Sequence, residues 1–235
     1  MGHFQMRYPL VPTLIAGLIA LPLGAETPPA PNLLSQGGAA PGGARVFAMA
    51  QDLYALGLAN KDALTVLTAA RLAASVTLQT GTEIRLERKG GSTADVGAEA
   101  EAGSGPADAN VMLATAREFA QDDDLLLSLI EDAEVEGARG RVGGAIQRMS
   151  RLPGGLTDVW EVPFYGSAQS EVAVIGDGDS NLDVQIADAN GNTICVDVSA
   201  SDKMMCDFVP AENGYFYVTV QNKGDEKNSY YLLTN

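Results

Sequence analysis

The chain has 235 residues, and its 30 acidic side chains outnumber its 15 lysines and arginines, giving a formal net charge of −15. Nucleic acids and anionic membrane surfaces are bound through clusters of Lys and Arg, so this composition argues against both as partners. The length suits one large domain or two small ones.

Residues 1–25 have the features of a secretory signal peptide. Arg7 precedes an apolar run, and Gly24 and Ala25 are small residues before Glu26. Such a segment is removed during export. The alternative is a membrane anchor, but the apolar run is interrupted by prolines and is shorter than the roughly 20 residues of a spanning helix. We therefore expect a periplasmic or secreted protein with no stable membrane insertion after cleavage.

Residues 26–43 are rich in Pro, Gly and Ala, which predicts a flexible linker. Apolar residues at three-and-four spacing then predict helices over 44–58 and 63–76, joined as an antiparallel hairpin. Asp108 is placed to cap a third helix. The aspartates at 122–124 open a fourth helix, where they favour the positive end of the helix dipole, with a metal site as the alternative.

The remaining segments of this predicted helical domain, 44–152, are less regular. Residues 77–86 alternate and predict either a strand or an extension of the helix. A mobile loop is expected near 88–107, and residues 140–152 are expected to form a short helix or a loop. The helical half only loosely resembles a tetratricopeptide-like array, since it lacks a repeat of about 34 residues.

The C-terminal part, 158–235, has short alternating segments separated by turns, which predict a β-sandwich. The residues expected to face inward are Trp160, Val162, Phe164, Val172, Val174, Leu182, Val184, Ile186, Phe208, Phe216, Val218, Val220, Tyr230 and Leu232.

The only two cysteines, Cys195 and Cys206, lie in this β region. In an oxidising compartment we expect them to form a disulfide, which would stabilise the fold by about 3 kcal/mol. A redox role is the alternative, but the chain has no Cys-x-x-Cys spacing.

Several turn motifs occur in a recognisable order in this region. They are Gly-Asp-Gly-Asp-Ser-Asn-Leu-Asp at 176–183, Asp-Ala-Asn-Gly-Asn at 188–192, Cys-Asp-Phe-Val-Pro at 206–210, Gly-Tyr-Phe at 214–216 with Asn222, and Asn-Ser-Tyr at 228–230. Together they resemble the bacterial pre-peptidase C-terminal domain. The resemblance implies a jelly-roll-like sandwich appended to exported bacterial proteins, some of which bind extracellular polymers or calcium. We therefore expect an α+β multidomain protein, with helical hairpins followed by an antiparallel jelly-roll-like β-sandwich.

Two candidate sites follow from this sandwich. The first is an acidic turn with oxygen-bearing side chains at every second position, at Asp177, Asp179, Asn181 and Asp183. Oxygen ligands at this spacing are candidates for binding calcium. The alternative is that Asp, Asn and Gly simply suit tight turns. The second is an outward-facing patch that forms if the last two strands pair, and its residues are Tyr215, Tyr217, Tyr231 and Leu233. This patch is either a docking face for the helical half, a surface for a ligand or partner, or a set of scattered tyrosines.

The only histidine is His3, within the predicted signal peptide. The processed chain would thus lack the imidazole of Ser-His-Asp and Cys-His mechanisms and of histidine-bearing zinc sites. We expect a noncatalytic exported binding or accessory protein, with an unknown protein or an extracellular polymer as partner and no cofactor other than calcium. The alternatives are a structural cell-envelope protein whose helical half holds a protein partner and, as the weakest, a carboxylate-based or Ser-Lys hydrolase.

Overall fold

The computed structural model describes Gly2 and residues 29–38, 40–90, 105–136 and 143–235. Within these residues the helices are α1 (Gly43–Asn60), α2 (Ala63–Ala74), α3 (Ala109–Ala120) and α4 (Asp124–Glu136). The strands are β1 (Ser35–Gln36), β2 (Val76–Thr80), β3 (Arg85–Lys89), β4 (Gly143–Leu152), β5 (Thr157–Phe164), β6 (Ser170–Ile175), β7 (Leu182–Asp188), β8 (Thr193–Asp197), β9 (Lys203–Val209), β10 (Gly214–Asn222) and β11 (Asn228–Thr234). The predicted α+β class is confirmed. The predicted signal peptide, apart from Gly2, and positions 91–104 of the predicted loop lie outside the described residues.

All four predicted helices form, and aspartates begin two of them as expected. The Asp108 carboxylate accepts a hydrogen bond from the backbone N–H of Val111 at 2.9 Å. The Asp123 carboxylate accepts from the N–H groups of Leu125 and Leu126 at 3.0 and 3.1 Å. These bonds satisfy backbone donors that have no partner inside the helix. Asp123 therefore acts as a helix cap.

The hairpin of α1 and α2 packs closely because small residues line it. Only Lys61 and Asp62 separate the two helices, so they run antiparallel. A Cβ atom on Gly57 would overlap the side chain of Val66, so only glycine allows this approach. Ala69 and Ala70 of α2 are fully buried in the same helical core. None of the helices in the described part of the chain is long and apolar enough to cross a membrane.

The described strands form two stacked sheets. One, in the order β1-β9-β6-β11-β4-β2, is here called the helix-covered sheet; the other, in the order β3-β5-β10-β7-β8, is called the exposed sheet. Neighbouring strands are antiparallel except β2 and β4, which are parallel. Because β2 and β3 lie in different sheets, residues 81–84 carry the chain from one sheet across to the other.

The inner faces of the two sheets share one apolar core, and every residue predicted to face inward is buried there. Phe164, Phe208 and Phe216 form an aromatic cluster with ring centroids 5.4, 5.7 and 5.0 Å apart. Full burial of such a side chain contributes about 1.5–3 kcal/mol. The alternation of period two thus decides which face of each strand becomes core.

A buried polar network joins the two sheets across this core. Asp158 of the exposed sheet accepts hydrogen bonds from Arg88 Nε at 2.7 Å, Ser150 Oγ at 2.6 Å and the Tyr230 hydroxyl at 2.9 Å. Trp160 Nε1 donates to the Tyr230 oxygen at 2.6 Å. Burial, followed by the nearby Asp158 carboxylate, raises the pKa of Tyr230 well above its ordinary value of 10.0. The phenol therefore stays protonated and remains a donor.

The helices cover the outer face of the sheet that contains β11. The Phe47 ring of α1 packs against Tyr231, with centroids 6.4 Å apart. Leu233 and Ile175 of this face are buried within the same apolar cluster as the helices. This face is thus part of the interior and is not free to bind a partner.

A buried carboxylate ties α1 to this sheet. The helix has no capping side chain of its own at Gly42. Glu171 of β6 instead accepts hydrogen bonds from the backbone N–H groups of Gly42 at 2.6 Å and Arg45 at 3.3 Å. The Arg45 guanidinium also pairs with Asp207 of β9. The negative charge at the helix start complements its dipole, so the cap is tertiary rather than local.

Strand β4 corrects the prediction of a short helix or loop at 140–152 for residues 143–152, while 140–142 lie outside the described residues. The strand pairs with β11 on one side and with β2 on the other. Its inward positions include Arg148 and Ser150, and these polar residues mask the apolar alternation that normally identifies a strand. Residues 77–86 likewise prove to be strands β2 and β3 with a crossover between them. Arg88, assigned to the mobile loop, is buried within β3.

The segment around β1 differs from the predicted flexible linker because it packs along the sandwich. The Asn32 side chain exchanges hydrogen bonds with the backbone of Glu212 at 2.8 and 3.0 Å. β1 pairs with β9, and Gln36 Nε2 donates to the Ile194 carbonyl of β8 at 2.9 Å. The segment therefore bridges the edges of both sheets.

The pairing of Cys195 with Cys206 is confirmed. The two Cα atoms are 6.3 Å apart. Cys195 lies on β8 and Cys206 on β9, so the disulfide links one sheet to the other at the same seam that β1 closes.

Acid is expected to weaken this seam through Asp188. The buried carboxyl accepts hydrogen bonds from Asn32 N–H at 2.8 Å and from Asn190 and Asn192 N–H, both at 2.9 Å. Burial acts to raise the pKa, but the hydrogen bonds, first that from the Asn192 side chain, outweigh it and lower the pKa below 3.8. A lowered folded-state pKa gives stability that is present above the unfolded-state pKa and is lost as pH falls through the folded-state pKa.

Urea unfolding followed between neutral pH and about pH 3 checks this expectation. The wild type should lose stability below about pH 4, and Asp188→Asn should lose less over the same interval because it has no carboxyl to titrate. Glu212→Gln, an exposed change on the neighbouring turn, is the control and should follow the wild-type curve. Parallel curves for the wild type and Asp188→Asn would contradict the assignment.

Candidate functional site

The acidic turn after β6 contains the four residues predicted as calcium ligands, and the side chains of Asp177, Asn181 and Asp183 make contacts within the protein. Asp177 accepts hydrogen bonds from the N–H groups of Ser229 at 2.9 Å and Asp179 at 3.2 Å. Asp183 accepts from the Asn181 amide at 3.3 Å and lies 3.8 Å from Lys223 Nζ. No group of three or more Asp, Glu, His or Cys side chains able to hold a metal occurs in the described residues. Calcium binding at this turn would compete with these contacts.

Calcium is therefore expected to leave the melting temperature unchanged. An ion that bound only the folded protein would raise the melting temperature by mass action. Thermal unfolding at millimolar calcium and in EDTA provides the comparison, with Asp179→Asn as a second sample. A rise with calcium that disappears in Asp179→Asn would show that the turn rearranges around the ion.

The predicted outer patch is divided between two sheets. The patch was predicted to form if β10 pairs with β11, but β10 lies between β5 and β7, whereas β11 lies between β6 and β4. The condition is not met, because consecutive strands of a sandwich can belong to opposite sheets. Tyr231 and Leu233 pack under the helices, while Tyr215 and Tyr217 lie on the exposed sheet. The four residues therefore do not form one surface.

A cavity of about 810 Å³ opens at one end of the sandwich. We call it the end cleft. Its lining is formed by residues 79–84, 162–165, 168–170, 213–215 and 234–235, together with Ile146. These segments are the crossover between the sheets, the end of β5 with the loop that follows, the start of β10 and the end of β11. Both sheets thus contribute to the site.

Two tyrosines border the end cleft in solvent. Tyr165 is 76% exposed and Tyr215 is 47% exposed, whereas Val162 and Phe164 beneath them are buried. An aromatic ring held in water contributes little to folding, and tyrosine is enriched where proteins bind partners. Tyr215 is the one member of the predicted patch that lines the cleft.

The walls of the end cleft are fixed by hydrogen bonds. Asn213 Oδ1 accepts from the Gly166 N–H at 2.8 Å, and Asn235 Nδ2 donates to the Gln169 carbonyl at 2.8 Å. On the other side Arg148 Nη1 donates to the Gly81 carbonyl at 2.6 Å. The site is thereby held in shape before any ligand arrives, which lowers the entropy cost of binding.

The described lining contains one charged side chain, Glu83, which is exposed. Catalysis by a carboxylate pair needs two acids facing one substrate. The buried acids Asp158, Glu171 and Asp188 each hold the fold through the hydrogen bonds described above and do not line the cleft. Apart from Tyr215, the residues of this site carry no sequence motif, because separated segments build it.

Comparisons with known proteins find similarity only at the level of local fold. No protein-family model matches the chain, and no curated protein matches it. The pre-peptidase C-terminal domain of a collagenase from Bacillus anthracis is similar over 38% of this chain and 87% of that domain, with 16% identity and a TM-score of 0.33. Procruciferin, an 11S globulin from Brassica napus, covers 38% of this chain and 26% of its own, with 11% identity and a TM-score of 0.21. The capsular polysaccharide assembling protein CapF from Staphylococcus aureus covers 49% and 35%, with 12% identity and a TM-score of 0.22. None of these similarities assigns a family or an activity.

Proposed function

We propose that this chain is an exported, noncatalytic bacterial binding protein, whose sandwich resembles the pre-peptidase C-terminal domain and holds an extracellular polymer or a protein partner in the end cleft. The observation that carries the proposal is the pair of exposed tyrosines, Tyr165 and Tyr215, at the border of a preformed cavity. Cavities of about 300–1,000 Å³ with an apolar floor and a few placed polar groups are typical ligand sites.

Two further observations support the noncatalytic part. A general acid or base needs a pKa shifted toward the working pH, which burial or a neighbouring charge provides. Glu83 is exposed, and the described lining offers it neither a second acid nor a lysine. The polar side chains of the lining can hold a ligand, but they are not arranged to transform one.

Export is supported by the disulfide and by the residues of the predicted signal peptide. Disulfides persist in the periplasm and outside the cell but are rare in the cytosol. Expression of the full chain in a bacterium with a secretion pathway should give a product whose mass corresponds to an N-terminus at Glu26. A product that retains residues 1–25 would contradict the export proposal.

Binding in the end cleft is expected to depend on both tyrosines. The wild type should sediment with at least one of four insoluble extracellular polymers, which are peptidoglycan sacculi, chitin, cellulose and fibrillar collagen. In the double variant Tyr165→Ala, Tyr215→Ala the affinity should fall at least tenfold, since each aromatic contact contributes about 1 kcal/mol.

Tyr217→Ala is the matched control, because Tyr217 lies on the same strand as Tyr215 but does not line the cleft. It should bind like the wild type, and all samples should show the same thermal stability. Equal binding by the wild type and the double variant would overturn the cleft as the binding site and favour a partner surface on the helices.

A further inference from the structure

We infer that the ligand of the end cleft is a neutral carbohydrate chain, an inference that rests on the proposed function. The lining combines two exposed aromatic rings, uncharged amides and hydroxyls, and a single carboxylate side chain. Each of these features limits the chemical classes of ligand that the cleft can bind.

The charges of the cleft lining and of the whole chain argue against an ionic ligand. The described lining has no Lys or Arg side chain, and the whole chain carries a formal charge of −15. An anionic polymer would be repelled by this field and would find no cation to pair with. A cationic group would meet only Glu83, an exposed carboxylate whose ion pairs are weakened by solvent. A neutral ligand meets neither obstacle.

The polar groups of the lining match hydroxyl groups. The side chains of Gln79, Thr80, Thr82 and Gln169 line the cleft and make no hydrogen bond to another described residue. Asn213 uses its Oδ1 to hold Gly166, which leaves its amide N–H groups for a ligand. Amides and hydroxyls both donate and accept, and a sugar hydroxyl does the same.

The aromatic border suits the shape of a sugar ring. A pyranose has polar groups around its edge and C–H groups on its faces, so it can stack on an aromatic ring while its hydroxyls reach the amides. Tyr165 and Tyr215 present such rings in solvent, and a tyrosine combines an apolar ring with a polar hydroxyl. The buried side chains of Val162 and Phe164 form the apolar floor between the polar groups.

An extended peptide is the competing ligand, and the charges of the edge strand β3 disfavour its addition to that strand. Peptides commonly bind by adding a strand to an exposed sheet edge. Beside the cleft the edge strand β3 carries Arg85, Glu87 and Lys89 on its exposed positions. Charged side chains on an edge strand oppose the addition of another strand.

The test measures binding of the processed full-length protein to soluble polymers by isothermal titration calorimetry. The probes are the neutral chains laminarin, galactomannan and xyloglucan, the anionic chain alginate, and gelatin as a peptide chain. At least one neutral chain should bind, and Tyr165→Ala and Tyr215→Ala should each weaken that binding about fivefold. Tyr217→Ala should leave it unchanged, and alginate should not bind.

Two further variants distinguish specific carbohydrate recognition from nonspecific adsorption. Thr82→Val and Gln169→Leu remove hydrogen-bonding groups without reducing size, so a neutral chain should bind severalfold more weakly to each. Binding of gelatin alone, with the same dependence on Tyr165 and Tyr215, would overturn the carbohydrate assignment but leave the proposed function standing. Polymer binding that none of the cleft variants changes would overturn both, as would failure of every probe to bind.

Discussion

Replacing Asp158 with Asn is expected to lower the free energy of unfolding by about 3–5 kcal/mol, the range for breaking a buried ion pair at one partner. Both side chains of the Arg88–Asp158 pair are fully buried, with Nε and Oδ1 2.7 Å apart. The variant removes the negative charge that pairs with Arg88. It also replaces one of the two oxygens that accept hydrogen bonds from Arg88, Ser150 and Tyr230 with an NH2 group, which cannot accept. Urea unfolding followed by the fluorescence of Trp160, the single tryptophan, measures the change.

The matched control for this variant is Glu87→Gln, which removes a charge at an exposed position of β3. It should change stability by no more than about 0.5 kcal/mol, as is usual for the surface. A double variant, Arg88→Met with Asp158→Leu, should cost less than the sum of the two single changes, because both charges of the buried pair are then removed together. A loss of less than about 1 kcal/mol in Asp158→Asn would contradict the role given to the network.

Removing the disulfide is expected to cost about 3 kcal/mol, because the link restricts the unfolded chain and joins the two sheets. The variant is Cys195→Ser with Cys206→Ser, and guanidinium unfolding gives the free energy. Wild-type protein with a reducing agent should approach the value of this variant. The variant itself should not respond to the reducing agent, and this is the control. Equal stability of the wild type and the double variant would contradict the prediction.

The sequence predicts the helices and six of the last seven strands, all but β8, because each of these elements has a clear local signal. Apolar residues at three-and-four spacing mark α1 and α2, and strict alternation marks strands such as β5, where Trp160, Val162 and Phe164 face the core. These signals depend only on which face of an element is buried.

Strand β4 and the sheet membership of the last strands could not be predicted from local sequence patterns. Arg148 and Ser150 point into the sandwich because Trp160 and Asp158 lie opposite, 5.9 Å from the Arg148 guanidinium to the indole centroid and 2.6 Å from the Ser150 hydroxyl to the carboxylate. A polar residue can be predicted to face inward only when the residue that it contacts is known. Likewise, β10 and β11 follow each other in the chain, but sheet membership depends on long-range contacts.

The end cleft was beyond sequence reasoning for a related reason. Tyr215 was identified as outward-facing by its position on β10, but its neighbours in the site come from distant segments, among them Thr82 and Gln169. A site assembled from the ends of five segments has no motif with fixed spacing. Only the crossover from β2 to β3, which brings residues 79–84 to the end of β5, creates it.

The position of β11 has a consequence for how the chain acquires its shape. This last strand lies inside its sheet, hydrogen-bonded to β6 on one side and β4 on the other. The sheet beneath the helices is therefore incomplete until residue 234 has been synthesised. The helices are synthesised much earlier and have no complete sheet to pack against. Such late closure is expected to delay the folding of this layer until synthesis is nearly finished. An unfolded chain is the form that a narrow translocation channel accepts.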